Sequence, residues 1–228
     1  MLCPSQRFYQ QRRRQRQQIT ERAWQIIQLV ARRLPAGTLI FVADSSFAVI
    51  ELLKQDSLLL DVSLITRLRL DAALYDEAPR RKSGQIGRPR LKGKRRPTLK
   101  AMLEEPETDW VRLKIANWYG GGEREVEVRT DQAVWYHCGL PPVLIRWVLI
   151  RDRQEKFEAQ ALLSTNTAHT PQQILSWFVR RWSMEVTFEE SRGHLGIETQ
   201  RQWNDLALAG SRPVLMGLYS VVTLTPRG

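Results

Sequence analysis

Four residues near the C-terminal end of the chain combine one carboxylate with two guanidinium groups. They are Phe178, Arg181, Glu185 and Arg192, separated by three, four and seven positions. At 100° per residue, a helix places these side chains within roughly 60° of one another. Glu185 then falls among aromatic residues such as Trp182 and Phe188, where an uncompensated carboxylate is costly. The pattern predicts a partner arginine or a metal ion, although an ion pair with Arg181 on a solvated face fits it equally well.

The residues before this stripe predict that it lies on one long helix. Thr170 is a suitable N-cap, Pro171 suits the first helical position, and Gln173 completes a capping box. Gly193, directly after Arg192, is a suitable helix end. We therefore expect a single helix over residues 171–192.

A second carboxylate, Asp44, follows an apolar run at residues 38–43 that is typical of a buried strand. A helix is expected before it at residues 20–34. After it, Ser45 or Ser46 is expected to cap a second helix that runs to about Lys54, and residues 62–68 resemble a second strand. The residues expected to be buried in the first helix are Trp24, Ile27, Leu29, Val30 and Leu34.

Strand, helix and strand at this spacing predict a βαβ unit with a parallel strand pair. Ligands in open α/β sheets collect at the carboxyl ends of strands, and Asp44 lies at such an end. Asp44 is therefore a candidate catalytic or metal-binding residue. The alternative is that it only caps the following helix, because aspartate is a preferred N-cap.

The positive charge of the chain is concentrated in residues 79–100. The net charge is +11, and this segment holds ten Lys or Arg and no acidic residue, which leaves 25 basic against 24 acidic residues elsewhere. Its Gly and Pro content predicts a mobile loop. Such a segment is a suitable electrostatic footprint for nucleic acid, with a solvated charged loop as the alternative. The candidate DNA-binding residues are Arg88 and Arg90, in a short run resembling an AT-hook, with Lys94, Arg95 and Arg96.

Alternating apolar and polar residues follow the basic segment. Strands are expected at residues 110–118, 123–129, 133–137, 143–152 and 157–165, and together they predict an antiparallel insertion. A final helical segment is expected at residues 204–224, interrupted between Gly210 and Pro213.

Neither a signal peptide nor a membrane-spanning run is apparent in the sequence. The two cysteines, Cys3 and Cys138, suggest no disulfide framework, which favours a cytoplasmic setting. The three histidines are isolated from one another and are interpreted as ordinary surface or core residues rather than metal ligands.

The spacing of the first four residues resembles the Tyr-x2-Arg-x3-Glu-x6-Lys/Arg signature of DDE-class insertion-sequence transposases. Here Phe178 replaces the tyrosine and Arg192 stands at the last position. Residues 39–75, 135–148 and 192–203 are also similar to that family. The resemblance implies an α/β fold of α+β type: a ribonuclease-H-like core interrupted by a mostly antiparallel β insertion.

The resemblance also implies metal-dependent phosphoryl transfer on DNA. Two divalent cations, Mg²⁺ or Mn²⁺, would be held by three carboxylates, with Asp44 and Glu185 as two of these catalytic ligands. Arg181 and Arg192 would contact DNA phosphates, and Phe178 would belong to the same DNA-binding stripe. The implied partners are the DNA of the element ends and target, and a second copy in a synaptic homodimer. The implied location is the nucleoid.

One part of the family pattern is missing from this chain. The first aspartate should lie on a strand before the helix at residues 20–34, and the residues before that helix include no Asp. Asp61, Asp71, Asp131 and Asp152 lie elsewhere in the expected topology. We therefore expect an incomplete ribonuclease-H-like core and a C-terminal fragment of a transposase. An unpaired sheet edge and a risk of aggregation follow from this expectation.

The expected organisation has three parts. Residues 1–70 form the partial core, residues 71–166 the basic loop and β-rich insertion, and residues 167–228 the glutamate helix and the final helical segment. Three hypotheses remain: a transposase subunit whose active site is completed elsewhere, a non-catalytic DNA-binding remnant, and an unrelated basic binding protein.

Overall fold

The computed structural model describes residues 6–13, 15–34, 37–56, 61–81, 83–84, 86–106, 109–154, 156–197 and 205–224. Within these ranges the chain has a mixed α/β fold. It divides into two compact units, Ala23–Arg181 and the combination of Met1–Arg22 with Trp182–Gly228. Cys3, Asn204 and the family-like residues 198–203 lie outside the described residues.

The βαβ unit predicted from the sequence is present in the larger unit. Strand β1 (Leu39–Val42) pairs in parallel with β2 (Val62–Leu68), and Leu39 lies opposite Val62. A 3-10 helix (Ser45–Phe47) and helix α3 (Ile50–Asp56) connect them. The prediction that Ser45 or Ser46 caps the connecting helix is wrong, because Asp44 itself is the N-cap of the 3-10 helix.

The remaining strands extend the same sheet. They are β3 (Leu74–Tyr75), β4 (Val111–Ile115), β5 (Arg124–Trp135), β6 (Val143–Arg151) and β7 (Gln160–Ser164). The sheet order is β1-β2-β7-β6-β5-β3, with β4 on β5, and β7 pairs antiparallel with β2. Strand β1 is thus at one end of the sheet.

Strand β5 corrects a sequence prediction. Two strands were expected at residues 123–129 and 133–137, but one strand covers both. Its polar middle, including Thr130 and Asp131, stays paired with β6 without interruption. Because sheet hydrogen bonds join backbone groups, polar side chains in the middle of a strand do not have to end it.

Helices cover both faces of the sheet. On one face, Ala23 and Ile27 of α2 (Ile19–Arg33) and Leu99 of α4 (Leu99–Glu104) belong to one buried cluster with β2 and β6. On the other face, α5 (Pro171–Arg180) packs on β2, β5 and β6. The prediction that Leu29 and Leu34 are buried is wrong. Leu29 is two residues from Ile27, which turns it about 200° away around the helix.

The long helix predicted at residues 171–192 is two helices. The capping box of Thr170 and Gln173 begins α5 as expected, but α5 ends at Arg180 and α6 (Trp182–Leu195) follows. At the break, the backbone N–H of Arg181 donates to the Phe178 carbonyl at 3.2 Å, which closes a tight turn. Gly193 does not end α6, and the positive φ of Gly196 follows its last residue.

The smaller unit contains α1 (Gln6–Gln11), α6 and α7 (Asp205–Leu224). The predicted interruption between Gly210 and Pro213 is wrong, because α7 is continuous with Pro213 inside it. No helix in the described ranges has the length and apolar character needed to cross a membrane.

His169 is a core residue, as the sequence suggested. It is buried, its Nδ1 lies 3.0 Å from the Ser164 hydroxyl oxygen, and its ring meets the edge of Trp177 at 4.8 Å. Burial lowers the pKa of His169 below its ordinary value, because the charged imidazolium loses water contact. The ring is therefore kept neutral where it helps to join β7 to α5.

Candidate active site and nucleic-acid interface

Asp44 stands where the polypeptide leaves β1. The backbone N–H of Ala43 still donates to the Ile65 carbonyl at 2.9 Å, so strand pairing continues up to this point. The Thr66 hydroxyl, fully buried on β2, donates to the Asp44 carbonyl oxygen. These two bonds from the neighbouring strand fix the backbone that carries the carboxylate.

The Asp44 carboxylate is exposed and uses one oxygen as a cap. Its Oδ1 accepts from the Ser46 backbone N–H at 2.8 Å and from the Ser46 hydroxyl. Its Oδ2 takes part in none of the hydrogen bonds found in the described part of the chain. Asp44 therefore caps a short helix, as one alternative predicted, and it also presents one oxygen at the carboxyl end of a parallel strand.

An exposed carboxylate oxygen of this kind suits a hard divalent cation. Mg²⁺ and Mn²⁺ prefer oxygen ligands, and Mg²⁺ commonly binds through only one or two carboxylates. The carboxylate oxygens of Asp44 and Glu185 are therefore ligands of the kind preferred by the metals that the sequence resemblance implies. No group of three or more His, Cys, Asp or Glu side chains that could hold a metal ion occurs among the residues the structure describes.

Glu185 and Arg192 belong to the smaller unit. Glu185 lies in the first turn of α6 and is half-buried, and Arg192 lies in the last turn and is exposed. A carboxylate in a first turn and a guanidinium in a last turn both match the polarity of the helix dipole. Because α5 ends at Arg180 and α6 begins at Trp182, the four signature residues are not all on the single helix that the sequence predicted.

Phe178 is a core residue of the larger unit. Its side chain is 2% exposed and packs in the cluster beneath α5. The guanidinium carbons of Arg181 and Arg67 lie 5.4 Å and 5.9 Å from the centre of its ring. This burial keeps the ring away from solvent, so the predicted contact of Phe178 with DNA has no support in the observed packing.

The first half of the basic segment is exposed. Described residues of this half line a depression of about 900 Å³, and they include Arg80, Arg88 and Arg90. A hydrogen bond of 3.2 Å from Arg81 Nη2 to the Gly87 carbonyl crosses this loop. Gly87 has a φ of 107°, which favours glycine. The side chains of Arg80, Arg88 and Arg90 are thus exposed to an external anion.

The second half of the basic segment is docked on the sheet, which corrects the prediction of a mobile loop for this half. Lys92 lies against two tyrosine rings, and Arg96 bridges Asp76 and Asp131. Helix α4 was also missed, although Thr98 caps it by accepting from the Ala101 backbone N–H. The threonine after Pro97 was the available signal for a helix start.

Comparison with protein families connects this geometry to a known group. A family described as DDE superfamily endonuclease matches residues 5–133, which is more than half of the chain. This chain belongs to the DDE superfamily endonucleases. The matched range contains Asp44 and the whole basic segment, whereas Glu185 lies beyond it. Comparison with curated proteins found no match.

Membership in this family gives the substrate and the general chemistry. A DDE superfamily endonuclease acts on DNA, and nucleases of this superfamily typically use divalent metal ions. Sequence reasoning found the strand-end carboxylate of this endonuclease but missed its support by Thr66. The signal was present, because Thr66 is a polar residue within the apolar strand β2.

Proposed function

We propose that this endonuclease is a transposase subunit that takes part in cleaving and joining DNA strands at the ends and target of a mobile element, with its active site completed by another polypeptide. The observation that carries the proposal is the family match over the strand that ends at Asp44. In this proposal, residues 1–70 and 167–228 belong to a ribonuclease-H-like core and residues 71–166 to its β insertion. The enzyme acts on nucleoid DNA in the cytoplasm as a synaptic homodimer.

Asp44 and Glu185 are the proposed metal ligands. Mg²⁺ or Mn²⁺ bound there would activate water or a 3′-hydroxyl and stabilise the leaving oxygen. The chain itself orients Asp44 through Ser46 and Thr66, which leaves one carboxylate oxygen directed to solvent. Arg181 and Arg192 are proposed to bind DNA phosphates, because a guanidinium group fits two phosphate oxygens.

Metal binding tests these ligand roles directly. We expect Asp44→Asn and Glu185→Gln each to weaken Mn²⁺ binding by at least about tenfold, since even residues behind metal ligands contribute that much. Titration followed by electron paramagnetic resonance measures the affinity. Asp61→Asn is the matched control, because Asp61 is an exposed carboxylate just before β2. Equal affinity in all four proteins would contradict the assignment.

The proposal includes a third carboxylate beside Asp44 and Glu185, and no group of three such ligands occurs among the residues that the structure describes. We therefore expect the purified chain neither to nick nor to join DNA in Mg²⁺, because an incomplete metal site loses most of the charge stabilisation of the transition state. Conversion of supercoiled plasmid to nicked circles is the measurement. Mg²⁺-dependent nicking that disappears in both Asp44→Asn and Glu185→Gln would contradict this expectation.

A DNA-binding protein without cleavage activity is the second candidate. It is favoured by the concentration of nearly all the excess positive charge in residues 79–100, which requires no metal to bind phosphates. The two candidates make different predictions for metal. DNA binding through this segment alone is unaffected by Asp44→Asn, whereas the transposase proposal requires Asp44 for Mn²⁺ binding.

A further inference from the structure

Lys92 occupies a position between two aromatic rings. Its ammonium nitrogen lies 3.6 Å from the centre of the Tyr75 ring and 4.2 Å from that of Tyr136. The two rings meet edge to face, with centres 6.1 Å apart. A cation over the face of an aromatic ring is attracted by the ring quadrupole, and partial burial strengthens that attraction. The charge of Lys92 is therefore already engaged within the protein.

Arg96 is engaged by two carboxylates. Its Nε donates to Asp76 at 2.7 Å and its Nη1 to Asp131 at 2.8 Å, and its side chain is 23% exposed. Burial alone would lower the pKa of Arg96, but the hydrogen bonds to Asp76 and Asp131 raise it above its ordinary value. Binding a DNA phosphate here would have to displace at least one carboxylate.

The backbone between these two cations is paired with the chain around β3. The Gly93 N–H donates to the Asp76 carbonyl at 2.8 Å, and the Asp76 N–H donates to the Lys94 carbonyl at 2.9 Å. A β-carbon at Gly93 would lie 2.5 Å from the Glu77 carbonyl oxygen. Only glycine permits this close approach without displacing backbone.

Residues 92–96 form the base of the basic segment, and its four cations divide into two kinds. Lys92 and Arg96 are partly buried and bound to groups of the protein, whereas Lys94 and Arg95 between them are exposed. Net charge alone does not distinguish these two kinds.

We propose that Lys92 and Arg96 are positioning residues that anchor the base of the basic segment on β3 and β5, and that Lys94 and Arg95 are its phosphate-binding cations. The inference deepens the DNA contact in the proposed function and rests on it. The anchor fixes the chain directly after Arg88 and Arg90, so DNA meets these cations close to a defined position on the sheet.

Lys92→Met and Lys94→Met form a matched pair for the test. Each removes one ammonium group, two residues apart, and keeps an unbranched side chain. For Lys92→Met we expect the Gly93 amide to exchange with solvent about tenfold faster, because the ring contact holds that hydrogen bond closed. The slope of log K against log[salt] for duplex DNA should be unchanged. For Lys94→Met we expect unchanged Gly93 exchange and a slope about 0.9 smaller in magnitude.

Asp131→Asn is a second, milder variant. It removes one of the two carboxylates that bind Arg96. Because Asp131 is exposed, we expect the variant to stay folded and its Gly93 amide to exchange faster with solvent. The proposal is overturned if Lys92→Met leaves Gly93 exchange unchanged, or if it reduces the salt slope as much as Lys94→Met does. If the unsubstituted chain does not bind DNA, the proposed DNA contact fails, and the exchange rates alone decide whether Lys92 is an anchor.

Discussion

Replacing four exposed cations of the basic segment with glutamine is expected to lower the affinity for duplex DNA by about three and a half orders of magnitude at about 0.1 M salt. Each phosphate contact contributes about −0.9 to the slope of log K against log[salt], which corresponds to a factor of about eight per contact at this salt concentration. Four contacts then account for the loss. The four replaced residues are Arg88, Arg90, Lys94 and Arg95.

A titration of fluorescent duplex DNA at several salt concentrations measures both the affinity and the slope. The control replaces four exposed cations outside the segment, so that the net charge of the two variants is equal. The control residues are Arg32, Arg33, Lys114 and Arg153. If the two variants lose the same affinity, DNA responds only to the overall charge, and the segment is a solvated loop.

Arg96 is left out of the replaced set for a structural reason. The sequence grouped it with its neighbours, because a run of basic residues does not reveal which of them meet carboxylates. The partners Asp76 and Asp131 are 20 and 35 residues away from Arg96 in the chain. Long-range pairing of this kind depends on the strand register of β3 and β5, which local residue types do not determine.

The βαβ unit was predictable because its signals are local. The apolar runs of β1 and β2 are short and are bounded by turn residues; β2 is almost entirely buried and β1 is partly buried along its length. Asp44 could be chosen as a candidate from the sequence, because the carboxyl end of a predicted strand can be located in the sequence. Its function as a cap and the exposure of its second carboxylate oxygen required the geometry of Ser46 and Thr66.

The long helix was not predictable in the same way. Helical periodicity continues across Arg181, and no Gly or Pro marks the break between α5 and α6. The two helices differ in burial, which the spacing of the signature residues does not reveal. Helix α5 has a strongly apolar face on the sheet, whereas α6 exposes Trp182, Met184 and Phe188. The apolar residues of α5 therefore form one buried stripe, whereas those of α6 do not.

Phe178→Ala is expected to lower the free energy of unfolding by about 3–5 kcal/mol, the usual cost of deleting a buried aromatic side chain. The ring is 2% exposed and packs between α5 and the sheet. Denaturant unfolding followed by tryptophan fluorescence measures the change. Phe188→Ala is the control, because Phe188 is exposed on α6, and a loss below about 1 kcal/mol is expected there.

Because a loss of this size can leave the alanine variant unfolded, Phe178→Leu provides a milder test. A roughly volume-conserving apolar replacement is expected to cost less than about 1.5 kcal/mol and to leave DNA binding unchanged. If Phe178 instead contacts DNA, both variants unfold like the unsubstituted protein and bind DNA more weakly. The two outcomes decide whether the aromatic position of the signature is a core position of α5 or meets the substrate.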